Sequence, residues 1–397
     1  MLETIRQFAE EQLVARGEAE STRRAHAQYF VVREADIMAV WDSPRTRDAY
    51  AWFAVELANL RTAFRWAADH VDLDVAATIA IHSSMLGIQS ENYEPIAWAE
   101  ELIEPARAAY HPRLPALYVF AAVCYMVGRV EEAIQYADAG RLAIESGEFD
   151  EVPYGHEGLL VGVYSLIGQP ERAVEWCRAQ LARDRDTHGI TAGILALALR
   201  WAGRTDEAMT VANGLVGAAE ATGTLWALSF ALFCFGYVFS EAEPDRALGA
   251  LRRGLVIAQE CGSRYDIAVS VTALSRLESE YGDPLAALEY LTVAIRTYHD
   301  SGNVPSIRTV LAVLAAHFDR LGRYEPAATI AGFAISPVTI AGLPELSTAI
   351  THLRAVLGDQ AYESLARTGE LMTTAAMATY ALDQIDRART ELAAMPK

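Results

Sequence analysis

Lysine is almost missing from this sequence: Lys397 is the only one, against 32 arginines. No phosphate loop of the form G-x-x-x-x-G-K-[ST] is then available, because its lysine must stand inside the motif. The bias toward arginine fits high-GC coding. Positive charge is scarce as a whole, with 52 Asp and Glu against 33 Lys and Arg and a net charge of −19. Such a surface repels phosphate backbones and anionic lipid, so neither direct nucleic-acid binding nor a membrane partner is expected. Only four cysteines occur (Cys124, Cys177, Cys234, Cys261), far apart and without a C-x-x-C pair. Each falls at an apolar helical position, which points to buried reduced thiols rather than disulfides or zinc ligands. No basic segment followed by an apolar one opens the chain, so no secretory signal and a cytoplasmic location are expected.

Catalytic patterns are also missing. The nine histidines form no H-E-x-x-H and none pairs with a cysteine at ligand spacing. His156 beside Glu157 reads as a loop or helix start. The Asp184, Asp186, His188 run lacks the bidentate Glu of a calcium loop, since Leu195 stands at the twelfth position. No G-x-S-x-G nucleophile turn is present. No catalytic residue, metal or cofactor is therefore expected. The uncharged run 221–240 has the length of a bilayer span, but Gly223 interrupts it and Glu220 and Glu241 flank it without Lys or Arg anchors. A buried first helix of a repeat suits it better.

What is present is a repeated phrase. Gly128-Arg-Val-Glu-Glu-Ala133 reads as the turn between two antiparallel helices with a small residue at their closest approach. It recurs as Gly168-Gln-Pro-Glu-Arg-Ala173, Gly203-Arg-Thr-Asp-Glu-Ala208, Gly282-Asp-Pro-Leu-Ala-Ala287 and Gly322-Arg-Tyr-Glu-Pro-Ala327. Copies without the glycine run from Asn92 to Ala97 and from Ala242 to Ala247. The anchoring alanines (97, 133, 173, 208, 247, 287, 327) are spaced 36, 40, 35, 39, 40 and 40 residues apart. A steady period of that size means stacked helical hairpins, hence an all-α fold, a right-handed superhelix of antiparallel hairpins of tetratricopeptide type. We read residues 1–72 as N-terminal junction helices, 73–336 as an array of about seven hairpins, and 337–397 as a helical cap closing the last apolar face.

The first helix has Leu2, Ile5, Phe8, Ala9 and Leu13 on one face, and Gly17 ends it. Ser43 is expected to cap a third helix whose apolar stripe is Phe53, Leu57, Leu60, Phe64 and Ala67. Here a resemblance becomes specific. The run Met1 to Leu13, then Arg23-Arg-Ala-His26, Tyr29 and Phe30, resembles the segment that joins the winged-helix part of a signalling ATPase to its tetratricopeptide-like tail. The run Glu56-Leu-Ala-Asn59 through Ala67 is similar to the first tail helix of the same proteins. These are the LuxR-type and cyclase-linked actinobacterial regulators, of the class that includes the maltose regulator. The resemblance implies the C-terminal sensory part of a longer regulator, whose ATP-binding residues match nothing in this chain.

In such arrays the first helix of each hairpin lines the concave groove, and positions counted back from each turn face it. The count gives Tyr118, Tyr125, Met126, Arg200, Trp201, Arg276, Glu280 and Arg320, with Phe233 and Tyr237 in the irregular fourth repeat. Neighbouring aromatic and Arg side chains suit a peptide or flat small molecule. The bland alternative is that the aromatics fill gaps between hairpins while the arginines pair with Glu280 or Asp319. The function expected is a non-enzymatic regulatory module binding a peptide, small inducer or partner protein. The competing readings are an oligomerisation scaffold and the tail of a nucleotide cyclase.

Overall fold

The computed structural model describes residues 3–394. Met1, Leu2 and the sole lysine, Lys397, lie outside the described residues, as does the Ile5 side chain. Among the described residues every regular element is a helix. Most helices pack on the next along the chain, so local contacts dominate, and the fold is a tetratricopeptide-like solenoid.

The period of the alanines becomes a row of hairpins. The first pairs Leu73–Gln89 with Glu94–Ala108, and the last pairs Val304–Arg320 with Tyr324–Ala334. Turns are built alike: Gly128 (φ 88°), Gly168 (73°), Gly203 (74°) and Gly322 (72°) hold the left-handed conformation that ends the first helix. Five residues on, Ala133, Ala173, Ala208 and Ala327 are fully buried where the two helices cross, as are Ala247 and Ala287. The first copy differs, because Ala97 is exposed. There the left-handed residue is Glu91 (φ 54°), one place before Asn92. The fifth residue on is then Ile96, and it is Ile96 that is buried.

Two further expectations shift for local reasons. Ser43 does not cap a helix: its Oγ accepts from the Arg45 amide at 3.1 Å and donates to the Val40 carbonyl at 2.6 Å. It closes a turn, and the helix Thr46–Asp69 starts after Arg45. The first helix of the third hairpin is broken into Pro153–Val161, a 3₁₀ segment, and Gly162–Leu166, with Tyr154 (φ 56°) and Gly155 (φ 69°) left-handed. A Cβ on Gly155 would stand 2.8 Å from the Arg185 carbonyl, so only glycine lets these backbones approach.

The uncharged run becomes the helix Leu225–Phe239, buried along most of its length. No helix among the described residues is long and apolar enough to cross a membrane. All four cysteines are buried free thiols. At the C-terminal end, Pro344–Leu357, Asp359–Glu370 and Thr374–Ala394 cover the last hairpins. Gly369 and Gly332 bring the helix Asp359–Glu370 into backbone contact with Tyr324–Ala334.

The array also touches itself across its superhelical turn. The Asn303 amide donates to the Tyr93 hydroxyl at 2.9 Å, and the Ser263 hydroxyl to Gln89 Oε1 at 2.7 Å. His188 Nε2 meets Asp42 Oδ1 at 2.6 Å, and Arg47 Nη2 donates to the Gln259 carbonyl at 2.8 Å. Ser263 and Asn303 are N-caps of first helices, each accepting an amide of its own helix through the side chain. The loops entering later hairpins therefore rest on the turns of earlier ones. Behind this seam, Trp41 at the end of the helix Ala19–Trp41 stacks on Trp226 at 4.6 Å, with Tyr154, His156 and His188 around the pair. The N-terminal helices are thereby keyed into the array.

Candidate functional site

Two places gather side chains beyond what packing requires. The first is a ladder on the turn ends of successive first helices. The helix Ile190–Trp201 contributes Arg200 and Trp201, Leu225–Phe239 contributes Phe233 and Tyr237, Arg264–Tyr281 contributes Arg276 and Ser279, and Val304–Arg320 contributes Arg320. Trp201 Nε1 donates to the Tyr237 hydroxyl at 2.8 Å with the rings edge-on, and Tyr237 lies against Phe233. Trp201 remains 47% exposed, an unusual position for the largest apolar side chain. Beside it, Arg200 and Arg276 share the carboxylate of Glu241, and Arg276 also binds both oxygens of Glu345, at 2.6 and 3.1 Å. Arg320 Nη1 donates to Ser279 Oγ at 2.8 Å.

The arginines thus find partners, though not the expected ones. Glu280 is exposed, and Asp319 pairs with His352 at 2.8 Å. The actual partners, Glu241 and Glu345, lie in a turn and in the C-terminal helices, where counting back from a glycine does not look. Desolvation of the half-buried Arg276 guanidinium works to lower its pKa, and the negative carboxylates of Glu345 and Glu241 outweigh it and hold the pKa above the usual arginine value.

Three counted positions fall elsewhere. Tyr118 is buried against Gly140 of its own hairpin, where a Cβ would lie 2.8 Å from the Tyr118 Cβ. Tyr125 rests its hydroxyl over Gly162, and Met126 Sδ lies 3.6 Å from the Asn303 amide. The ladder accordingly brings together Arg200, Trp201, Phe233, Tyr237, Arg276 and Arg320, with Glu280 exposed alongside, and leaves out Tyr118, Tyr125 and Met126.

The second place is a pocket of about 730 Å³ on the seam. Tyr50, Phe53, Glu91 and Tyr93 come from the early turn of the superhelix, while Gly262, Arg264, Asp300 and Ser301 come from the later one. Glu91 is only 3% exposed, and neither of its carboxylate oxygens has a hydrogen-bond partner in good geometry. Burial pushes its carboxyl up; weak hydrogen bonds from Ser301, Tyr93 and Asn303 and the charge of Arg264 oppose this. Arg47 and Arg264 stand at the exposed rim. Sequence reading missed this pocket, and its only local signal is a carboxylate where four other turns carry a left-handed glycine.

No family model matches the sequence, and no curated protein matches it. Among solved structures, the chain is similar to a Rap protein crystallised in complex with competence and sporulation factor. The TM-score is 0.51 at 14% identity, over 92% of this chain and 99% of that one. At that identity the likeness is one of fold, and it agrees with the architecture built above: an all-helical solenoid of tetratricopeptide type.

Proposed function

We propose that this chain is a non-enzymatic regulatory module that binds a peptide, small inducer or partner protein along the ladder at Trp201. The observation carrying this reading is a half-exposed tryptophan, held by a hydrogen bond to Tyr237 and flanked by paired charges. Rigid aromatic and arginine groups of this kind supply most of the energy in recognition sites. The Rap likeness adds support, since that protein was solved with a bound factor. In the resembled regulators such a tail reports to a linked ATPase or effector. Here Trp41, buried against Trp226, gives the junction helices a direct path to the array.

The test is a thermal-shift and native mass-spectrometry screen for a co-purifying ligand, followed by affinity measurement on Arg200→Ala and Trp201→Ala. Each substitution is expected to weaken binding by about tenfold or more, the scale of an anchor residue. A ligand whose affinity survives both changes removes the ladder from consideration. One observation favours the scaffold reading: Glu345 of the C-terminal helices already occupies the far end of the ladder. Light scattering showing a stable oligomer that Trp201→Ala dissolves would favour that reading.

A further inference from the structure

Glu91 combines three features that seldom meet. Its backbone is left-handed at φ 54°, where the equivalent turn residue in four other hairpins is glycine. A non-glycine residue there costs of order 1 kcal/mol, and such positions cluster at ligand sites. Its carboxylate is buried, yet both oxygens are unpaired. It also sits in the wall of the seam pocket, just beneath the surface. A buried carboxylate whose neighbouring donors, Ser301, Tyr93 and Asn303, miss good hydrogen-bond geometry is expensive, and such a group gains from a further partner.

The walls define that partner. Tyr50, Phe53 and Tyr93 present aromatic surface beside the carboxylate, the combination that takes up a compact cation. The rim is mixed, with Arg47 and Arg264 beside the exposed Asp300 and a Glu94 already paired with Arg61. Among the described residues Arg264 makes no salt bridge or hydrogen bond, its charge acting on Glu91 only through space, and Arg47 commits one Nη to the Gln259 carbonyl. Among the described residues no group of three or more side chains is placed to hold a metal ion, and the arginines would repel a bare cation. A ligand with both charges satisfies both ends.

We propose that the seam pocket binds a small ammonium–carboxylate molecule, with Glu91 receiving the ammonium, Arg264 the carboxylate, and the aromatic walls the carbon between. The site draws on both superhelical turns, so an occupant pins Glu91 and Tyr93 to the loop at Gly262–Arg264. Tyr50 on the helix Thr46–Asp69 lines the same pocket, which places the junction helices in contact with the bound molecule. That last, regulatory consequence rests on the function proposed above; the binding site itself does not.

Free amino acids and short peptides present the same pair of charges, and one experiment separates them. The full-length chain is titrated in a thermal-shift assay with the twenty L-amino acids and a set of dipeptides. The best binder is then measured by calorimetry, with ethylamine, acetate and its N-acetyl and amide derivatives beside it. Expected are a rise in Tm with a free amino acid, and at least about a tenfold loss of affinity on blocking either end. Glu91→Gln and Arg264→Gln are expected to lose as much, while Trp201→Ala binds normally. A dipeptide that outcompetes every amino acid with the same sensitivity to Glu91→Gln keeps the site and makes the source a peptide. Absence of a shift with the whole panel on the wild-type chain overturns the proposal. So does a ligand indifferent to Glu91→Gln, or one lost in Trp201→Ala, which would bind at the ladder instead.

Discussion

Asp266 offers the sharpest quantitative test of the interior. It sits in the first turn of the helix Arg264–Tyr281, fully buried, and neither carboxylate oxygen has a hydrogen-bond partner. Burial pushes its carboxyl up to about 7 from 3.8, with Ser263 pulling back only in part. The groups it faces are Tyr50, Cys234, Cys261 and Tyr265, each of which its charge would push further up. Because the folded value is raised, the native state holds a proton that the unfolded chain gives up. Stability is therefore full below pH 3.8 and declines as pH rises to 7. A shift of about three units corresponds to roughly 4 kcal/mol lost above neutrality, at about 1.4 kcal/mol per unit. Asp266→Asn keeps the shape and removes the ionisation. Relative to wild type it should gain roughly 4 kcal/mol at pH 8.5 but only about 1 to 2 at pH 5. For a chain of this length those gains correspond to about 5 °C and about 2 °C in Tm. Differential scanning calorimetry of both proteins at the two pH values measures the difference, and the background titration of other groups cancels. An equal gain at pH 5 and pH 8.5 refutes the argument, since the carboxyl would then keep one ionisation state throughout.

Other consequences follow from the same packing. His82, His156 and His317 are buried and held down to about 4. The unfolded chain takes up those protons first, so stability should fall as pH drops from 6.5 toward 4, measured by urea midpoints across that range. Asn303→Asp keeps the helix cap but removes the amide that binds Tyr93. It should cost about 1 kcal/mol and speed hydrogen exchange at residues 89–94, whereas unchanged exchange there would mean the contact holds nothing. Gly369→Ala places a Cβ 1.8 Å from the Thr329 carbonyl. It should cost about 3 kcal/mol and expose the segment after Ala334 to limited proteolysis.

The fold was legible because its signal is repeated. An alanine at a helix crossing, five residues after a left-handed glycine, is a local demand that each hairpin makes again, and the count locates Ala133 and Ala327 alike. The same register carried over to side chains near the turns, which is why Arg200, Trp201 and Arg276 fall together. It failed where the frame slips or the chain departs from it. Glu91 takes the glycine's conformation one residue early and leaves Ala97 exposed, and the partners of the arginines come from Glu241 and from Glu345 in the C-terminal helices. The seam was out of reach for a different reason. Asn303 and Tyr93 are 210 residues apart and Ser263 and Gln89 are 174 apart, so no period links them. Their sequence signature is that of ordinary helix caps and turns.

That seam changes what kind of solenoid this is. An array whose units touch only their neighbours has a stability that sums along the chain, and its curvature varies freely. Here Ser263, Asn303 and His188 fasten later hairpins to Gln89, Tyr93 and Asp42, so curvature cannot change without breaking buried polar contacts. Two discrete arrangements, seam closed and seam open, are then better defined than a continuum of bends, as expected of packed interfaces. A ligand shifts such an equilibrium only by its difference in affinity for the two states. The pocket at Glu91 takes its walls from both sides of the seam and would lose half of them on opening, whereas the ladder runs along one side. Of the two places, the pocket is therefore the one where binding energy converts directly into a change of shape.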